Sequence, residues 1–189
     1  MELNLDDKEK EYYLKLARKS IADELGIQYT PGIDPKYNPP HGNDLYGVFV
    51  TLTKDKQLRG CIGYIRGYEP LVNSIKKMAK EAAFHDYRFG PLHKDEFEKI
   101  KIEISILSPM QKINSIDEII IGRDGLMITR QNNSGLLLPQ VPVEYNWDLK
   151  TYLEQLCLKA GLPSNAYKHP GTIIYKFTAY IFGEDSHTF

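Results

Sequence analysis

Cysteine is scarce in this chain: Cys61 and Cys157 are the only two in 189 residues. No CxxC pair and no Cys/His cluster has zinc spacing, and two lone cysteines suit reduced thiols rather than a disulfide framework. Excess charge is missing too. The 24 basic residues nearly cancel the 25 acidic ones, which removes the broad electropositive footprint of a general nucleic-acid binder. No apolar run is long enough to span a bilayer. Nor does a basic segment followed by an apolar run open the chain, so neither a membrane anchor nor a secretory signal is expected, and the expected location is the cytoplasm. There is no P-loop, no dinucleotide glycine fingerprint and no iron–sulfur motif. The sequence therefore names no cofactor and no metal.

What is present belongs to an ordinary globular protein, 42% hydrophobic and 26% charged. The length suits one domain, or one domain with a small lobe, and is enough to bury a core without staples. Leu14, Ala17, Ile21 and Leu25 recur at helical spacing, predicting a helix over residues 6–25 with Asp6 or Asn4 as cap and Gly26 past its end. Its charged residues, Glu9 and Arg18 among them, are expected on a solvated face. Residues 26–44 carry Pro31, Pro35, Pro39 and Pro40 and predict a long loop bordering a cleft. His41 in that loop is either a base at a pocket rim or an exposed loop histidine.

Two strands, 45–53 and 58–65, are expected to form a hairpin across the polar turn 54–57. A helix follows from Glu69-Pro70, then a short acidic helix at 93–100 and an alternating strand at 101–107. Further on, 122–125 is a turn, 126–130 a strand, Asn132-Asn133-Ser134-Gly135 a hairpin turn, and 136–141 a returning strand with Pro139 at an edge or bulge. Asp148 caps a last helix that buries Cys157 and stops at Gly161. A final strand, 172–182, would join the early sheet and tie the chain's ends together.

The chemistry concentrates in Leu58-Arg59-Gly60-Cys61-Ile62-Gly63. Strand period puts Arg59, Cys61 and Gly63 on one face and Leu58, Gly60, Ile62 and Tyr64 on the core face. Gly63 is expected to leave open space beside the thiol. A cation beside a thiol favours the thiolate, so Cys61 is a candidate nucleophile; the alternative is a small buried hydrophobe with Arg59 as an ion-paired strut.

Asp86 and Arg88 follow the second helix. Arg88 is placed to join Arg59 in gripping an anion, with Asp86 to orient an arginine or act as a base. The alternative is an Asp–Arg brace at the helix end. Glu103 and Ser105 lie on the polar face of their strand. If that strand neighbours the hexapeptide, Glu103 is the partner of an arginine. Gln140 either hydrogen-bonds a ligand or braces its turn.

The hexapeptide, together with Ala82-Ala83-Phe84-His85-Asp86-Tyr87-Arg88-Phe89, Ile102-Glu103-Ile104-Ser105-Ile106-Leu107-Ser108-Pro109 and Leu138-Pro139-Gln140-Val141, resembles the AMMECR-type domain family, known in bacteria as protein A of the AmmeMemoRadiSam system. The resemblance spans nearly the whole chain. It implies an α+β fold: a mixed, mostly antiparallel sheet with flanking helices, a large lobe from both chain ends and a smaller middle lobe, with a cleft between or beside them. It also implies partners, a dioxygenase-like (Memo-type) protein and a radical-SAM protein. Many members carry histidine where this chain has Asp124.

Two function classes lead. In one, Cys61 is a catalytic thiol, Arg59 and Arg88 hold a small anionic substrate, and Asp86 or Glu103 handles protons. In the other, the same residues belong to a non-catalytic module that binds a ligand or a partner protein. A nucleic-acid-associated regulator is disfavoured by the near-zero charge.

Overall fold

The structure is a computed structural model and describes residues 3–185. It divides into two compact units: the chain up to Leu107 together with the stretch from Tyr180 onward, and Ser108–Ala179.

The first unit begins with α1, Asp7–Leu25. The Asp6 side chain accepts the Glu9 amide at 2.7 Å, and Gly26 ends the helix at φ +64°. Strands β1, Gly47–Lys54, and β2, Gln57–Tyr64, form the expected hairpin. Asp55 and Lys56, at φ +52° and +62°, make a two-residue turn whose twist matches the strands. Helix α2 spans Leu71–Phe84. Strand β3, Ile100–Leu107, pairs with the far side of β1, so β1 is central and β2 lies at the edge. The last residues of β7, Ile173–Gly183, run beside β3. Val48, Val50 and Leu52 of β1 and Ile102, Ile104 and Ile106 of β3 bury one face of the sheet beneath α1 and α2.

Two charged residues expected in water are instead structural. Arg18 grips Glu184 through Nε and Nη2, both at 2.6 Å, and also donates to the carbonyls of Phe97 and Ile100. Glu184 in turn accepts the Ile102 amide at 2.9 Å. The two ends of the chain are thus joined around β3. Glu9 is 1% exposed and accepts from the Tyr13 hydroxyl and the His41 amide, with His41 Nδ1 3.0 Å from its other oxygen. This anchors the 26–44 loop to α1. The same loop walls a groove of about 650 Å³ between α1 and α2, lined by Tyr12, Leu16, Pro31 and Ile33.

The second unit holds β4, Gln111–Lys112, β5, Asp124–Arg130, β6, Asn133–Leu137, α3, Val141–Glu144, α4, Leu149–Lys159, and the start of β7. Its strand order is β4-β7-β5-β6. Leu126, Ile128 and Ile174 pack against Tyr152, Leu156 and Cys157 of α4. The α+β class, the antiparallel pairing and the larger unit assembled from both chain ends agree with the expectation.

Local expectations differ at four places. The second hairpin turns at Gln131-Asn132, with Gln131 at φ +53°, so Asn133 to Gly135 belong to β6. Gly135 serves close packing rather than the turn, because a Cβ there would lie 2.6 Å from the Ala160 amide nitrogen. Strand β6 stops at Leu137, Pro139 sits in a turn, and Gln140 precedes α3. The acidic helix of 93–100 shrinks to a 3₁₀ turn, Lys94–Glu96.

The Arg18–Glu184 pair is mostly shielded from water, and removing one partner strands the other charge. Arg18→Ala should therefore lower unfolding free energy in urea by about 3 kcal/mol, whereas Lys19→Ala on the same helix should change it by less than about 0.5 kcal/mol.

Candidate functional site

The hexapeptide begins with a β-bulge. The register between β1 and β2 shifts at Leu52/Thr53, which breaks the simple alternation. Leu58, expected on the core face, is consequently 44% exposed. Alternation resumes at Gly60, which faces α2. A Cβ at Gly60 would collide with the Ala82 carbonyl oxygen, so the helix lies directly on bare strand backbone.

The backbone of Cys61 points toward the open edge of the sheet. Its N–H donates to Asp86 Oδ2 at 2.9 Å, and its carbonyl accepts from Arg88 Nη2 at 3.3 Å. Arg88 holds the same carboxylate through Nε at 2.9 Å and Nη2 at 2.6 Å, and its own amide donates to Oδ1 at 3.2 Å. One Asp–Arg pair therefore supplies the edge hydrogen bonds that a further strand would supply. Asp86 is 3% exposed. The Arg88 guanidinium, reinforced by the Cys61 amide, holds its carboxyl well below the usual range, against the opposing effect of burial.

Arg59 is also fully engaged. Its Nε and Nη2 form a two-point bridge to Glu96 at 3.1 and 2.9 Å, and it donates to the carbonyls of Gly90 and Pro91. Lys54 reaches Glu96 at 2.9 Å, and the His93 amide donates to its other oxygen. Arg59 first, then Lys54, keep the Glu96 carboxyl well below its ordinary value. Glu96 was absent from the sequence-derived site. Glu103 is not the arginine's partner, because β1 separates β2 from β3.

The face opposite the core carries two cross-strand rows. Cys61, Thr51 and Glu103 lie side by side, and Gly63, Phe49 and Ser105 form the next row. Thr51 Oγ1 donates to Cys61 Sγ at 3.2 Å, the close approach expected of a pair whose backbone groups point outward. The space expected over Gly63 is filled: a Cβ there would strike the Phe49 ring. Ser105 is buried. Glu103 is exposed at the residue level, makes no ion pair among the described residues, and is pushed up in pKa by partial desolvation from its neighbours. Gln140 belongs to the second unit, where its buried Oε1 finds no hydrogen-bond partner among the described residues. No group of three His, Cys, Asp or Glu residues among the described residues could hold a metal.

A family model described as AMMECR1 matches residues 14–182. The chain belongs to the AMMECR1 family. Protein PH0010 of Pyrococcus horikoshii is 40% identical, with 98% of this chain and 94% of that protein aligned. Its crystal structure matches with a TM-score of 0.83 at 39% identity, over 96% of this chain and 94% of that one. A protein of Thermococcus gammatolerans is 40% identical over 96% of this chain and 93% of its own length. Protein MJ0810 of Methanocaldococcus jannaschii is 47% identical over 75% of each. In this AMMECR1 chain, Arg59, Gly60 and Cys61 each fix a specific neighbour: Glu96, α2 and the Asp86–Arg88 pair.

Gly60→Ala should cost at least about 2 kcal/mol of stability, because the colliding atom is helix backbone rather than a flexible side chain; urea denaturation reads this directly. Asp86 and Glu96 both ionise more readily folded than unfolded. Their stabilisation is essentially complete above pH about 5 and declines as pH falls from there toward their depressed folded values. Asp86→Asn should lower stability at neutral pH and flatten the acid limb of a stability-against-pH curve.

Proposed function

We propose that this AMMECR1 chain is a non-catalytic binding module that presents the sheet face around Thr51, Cys61 and Glu103 to a partner. The carrying observation is the internal commitment of the motif's charges. Arg59 is neutralised by Glu96, and Asp86 by Arg88. Groups that already brace the fold are poor candidates for gripping a small anion, whose binding would have to break those pairs. Among the described residues Glu103 makes no ion pair on that face, and it suits a donor or cation on the partner. The partner classes to test are those implied by the AmmeMemoRadiSam resemblance, a Memo-type dioxygenase-like protein and a radical-SAM protein. Among the described residues no helix is long and apolar enough to cross a membrane.

Calorimetric titration with each purified partner is the direct test. Binding to at least one is expected, weakened by Glu103→Ala and retained by Cys61→Ser. Absence of binding to both, or loss with Cys61→Ser alone in a folded protein, would count against the module.

A second reading keeps Cys61 as a reactive thiol. It is favoured by the half-buried Sγ that accepts the Thr51 hydroxyl, with Glu103 in the same row. Iodoacetamide separates the two. Cys157 is fully buried, and burial pushes its thiol pKa up, so labelling of the folded protein should stop at one equivalent, on Cys61. The binding module predicts a rate no faster than that of a small exposed thiol; a rate many-fold faster at neutral pH would favour the thiol enzyme.

A further inference from the structure

The two hairpins treat their outer strands differently. The edge of β2 is covered at Cys61 by Asp86 and Arg88. The edge of β6 is bare. Strand pairing closes at Arg130↔Asn133 around a two-residue turn and runs without a shift to Leu126↔Leu137. A two-residue turn makes its flanking pair a hydrogen-bonded one, and the pairs alternate from there. Asn133, Gly135 and Leu137 thus bond to β5, while the N–H and C=O of Ser134 and Leu136 face outward. No group among the described residues takes them up. The strand has no charged residue, proline or bulge to discourage pairing. Leu136 within it and Leu138 just after it are half-buried, while Leu137 packs against the core of the second unit.

We propose that β6 pairs antiparallel with β6 of a second copy of this chain. A twofold axis at Gly135 sets Ser134 opposite Leu136 of the second copy and Leu136 opposite its Ser134. Four backbone hydrogen bonds then form, each donor finding an acceptor. The two glycines meet at the axis with no Cβ between them, and the α4 end that covers Gly135, at Ala160, also offers a small side chain. Such a contact is self-complementary and closes after two copies, so the edge is consumed without an open-ended array. An extended segment of an unrelated protein would use the same donors and acceptors but would leave the free chain monomeric.

Sedimentation equilibrium over rising concentration tests this on the full chain. The wild type should move from 21.7 kDa toward twice that mass. Ser134→Lys, which sets like charges beside the axis on an exposed residue, should abolish the shift while leaving the circular dichroism unchanged. Ser134→Pro, which removes one outward N–H without touching the bonds to β5, should do the same. In the dimer the Ser134 and Leu136 amides should exchange slowly, and in Ser134→Lys quickly. A wild type that stays monomeric throughout, or a dimer that survives Ser134→Lys with those two amides still fast, would overturn the proposal.

Discussion

A single carboxylate determines how the first unit is put together. Asp86 accepts the amide of Cys61 from outside the sheet and is held there by Arg88. An exposed strand edge carries unpaired N–H and C=O groups that invite further pairing. The Asp–Arg pair satisfies one of each on one residue. Because Asp86 follows closely on α2, the bond also fixes where the helix ends. The Arg59–Glu96 bridge repeats the arrangement a few residues away and pins the segment between α2 and β3. The stretch from residue 85 to 96 is thereby fastened to β2 at two points without regular secondary structure of its own beyond one 3₁₀ turn.

The glycines of the hexapeptide complete this logic by their lack of side chain. Gly60 admits the backbone of α2, and Gly63 admits the ring of Phe49. Leu58-Arg59-Gly60-Cys61-Ile62-Gly63 thus works first as an assembly code, in which charged, absent and small side chains each meet a different neighbour. The chemical consequence follows from that packing. With Arg59 occupied by Glu96 and nearby Arg88 by Asp86, the motif is electrically quiet, and the polar character of the exposed face falls to Thr51, Cys61 and Glu103.

Much of the fold was legible in the sequence because local signals agreed with the tertiary outcome. Asp6 and Gly26 bracket α1, the polar tetrapeptide 54–57 turns the first hairpin, and the Ile102/Ile104/Ile106 alternation faces the core. The departures share one cause, which is contact between residues far apart in the chain. Nothing near Arg18 announces Glu184, 166 residues away, so a guanidinium on a charged helix looks solvated. Gly135 looks like a turn residue until the end of α4 is seen above it. The Asp86–Arg88 brace and an ion-paired Arg59 were both readable as alternatives, but the carboxylate partner of Arg59 was not, since strand order is invisible to periodicity. Placing β1 between β2 and β3 moved Glu103 away from Arg59 and left that role to Glu96, whose only local hint was the His93-to-Glu96 spacing of a helix-start box.

The most direct measurement is amide hydrogen exchange at Cys61, read residue by residue by NMR. If Asp86 replaces a strand at this edge, the Cys61 amide is protected in the folded wild type as strongly as the paired amides of β1, and Asp86→Ala exposes it while those of β1 stay slow. Fast exchange at Cys61 in the wild type, or protection that persists without the carboxylate, would contradict the account.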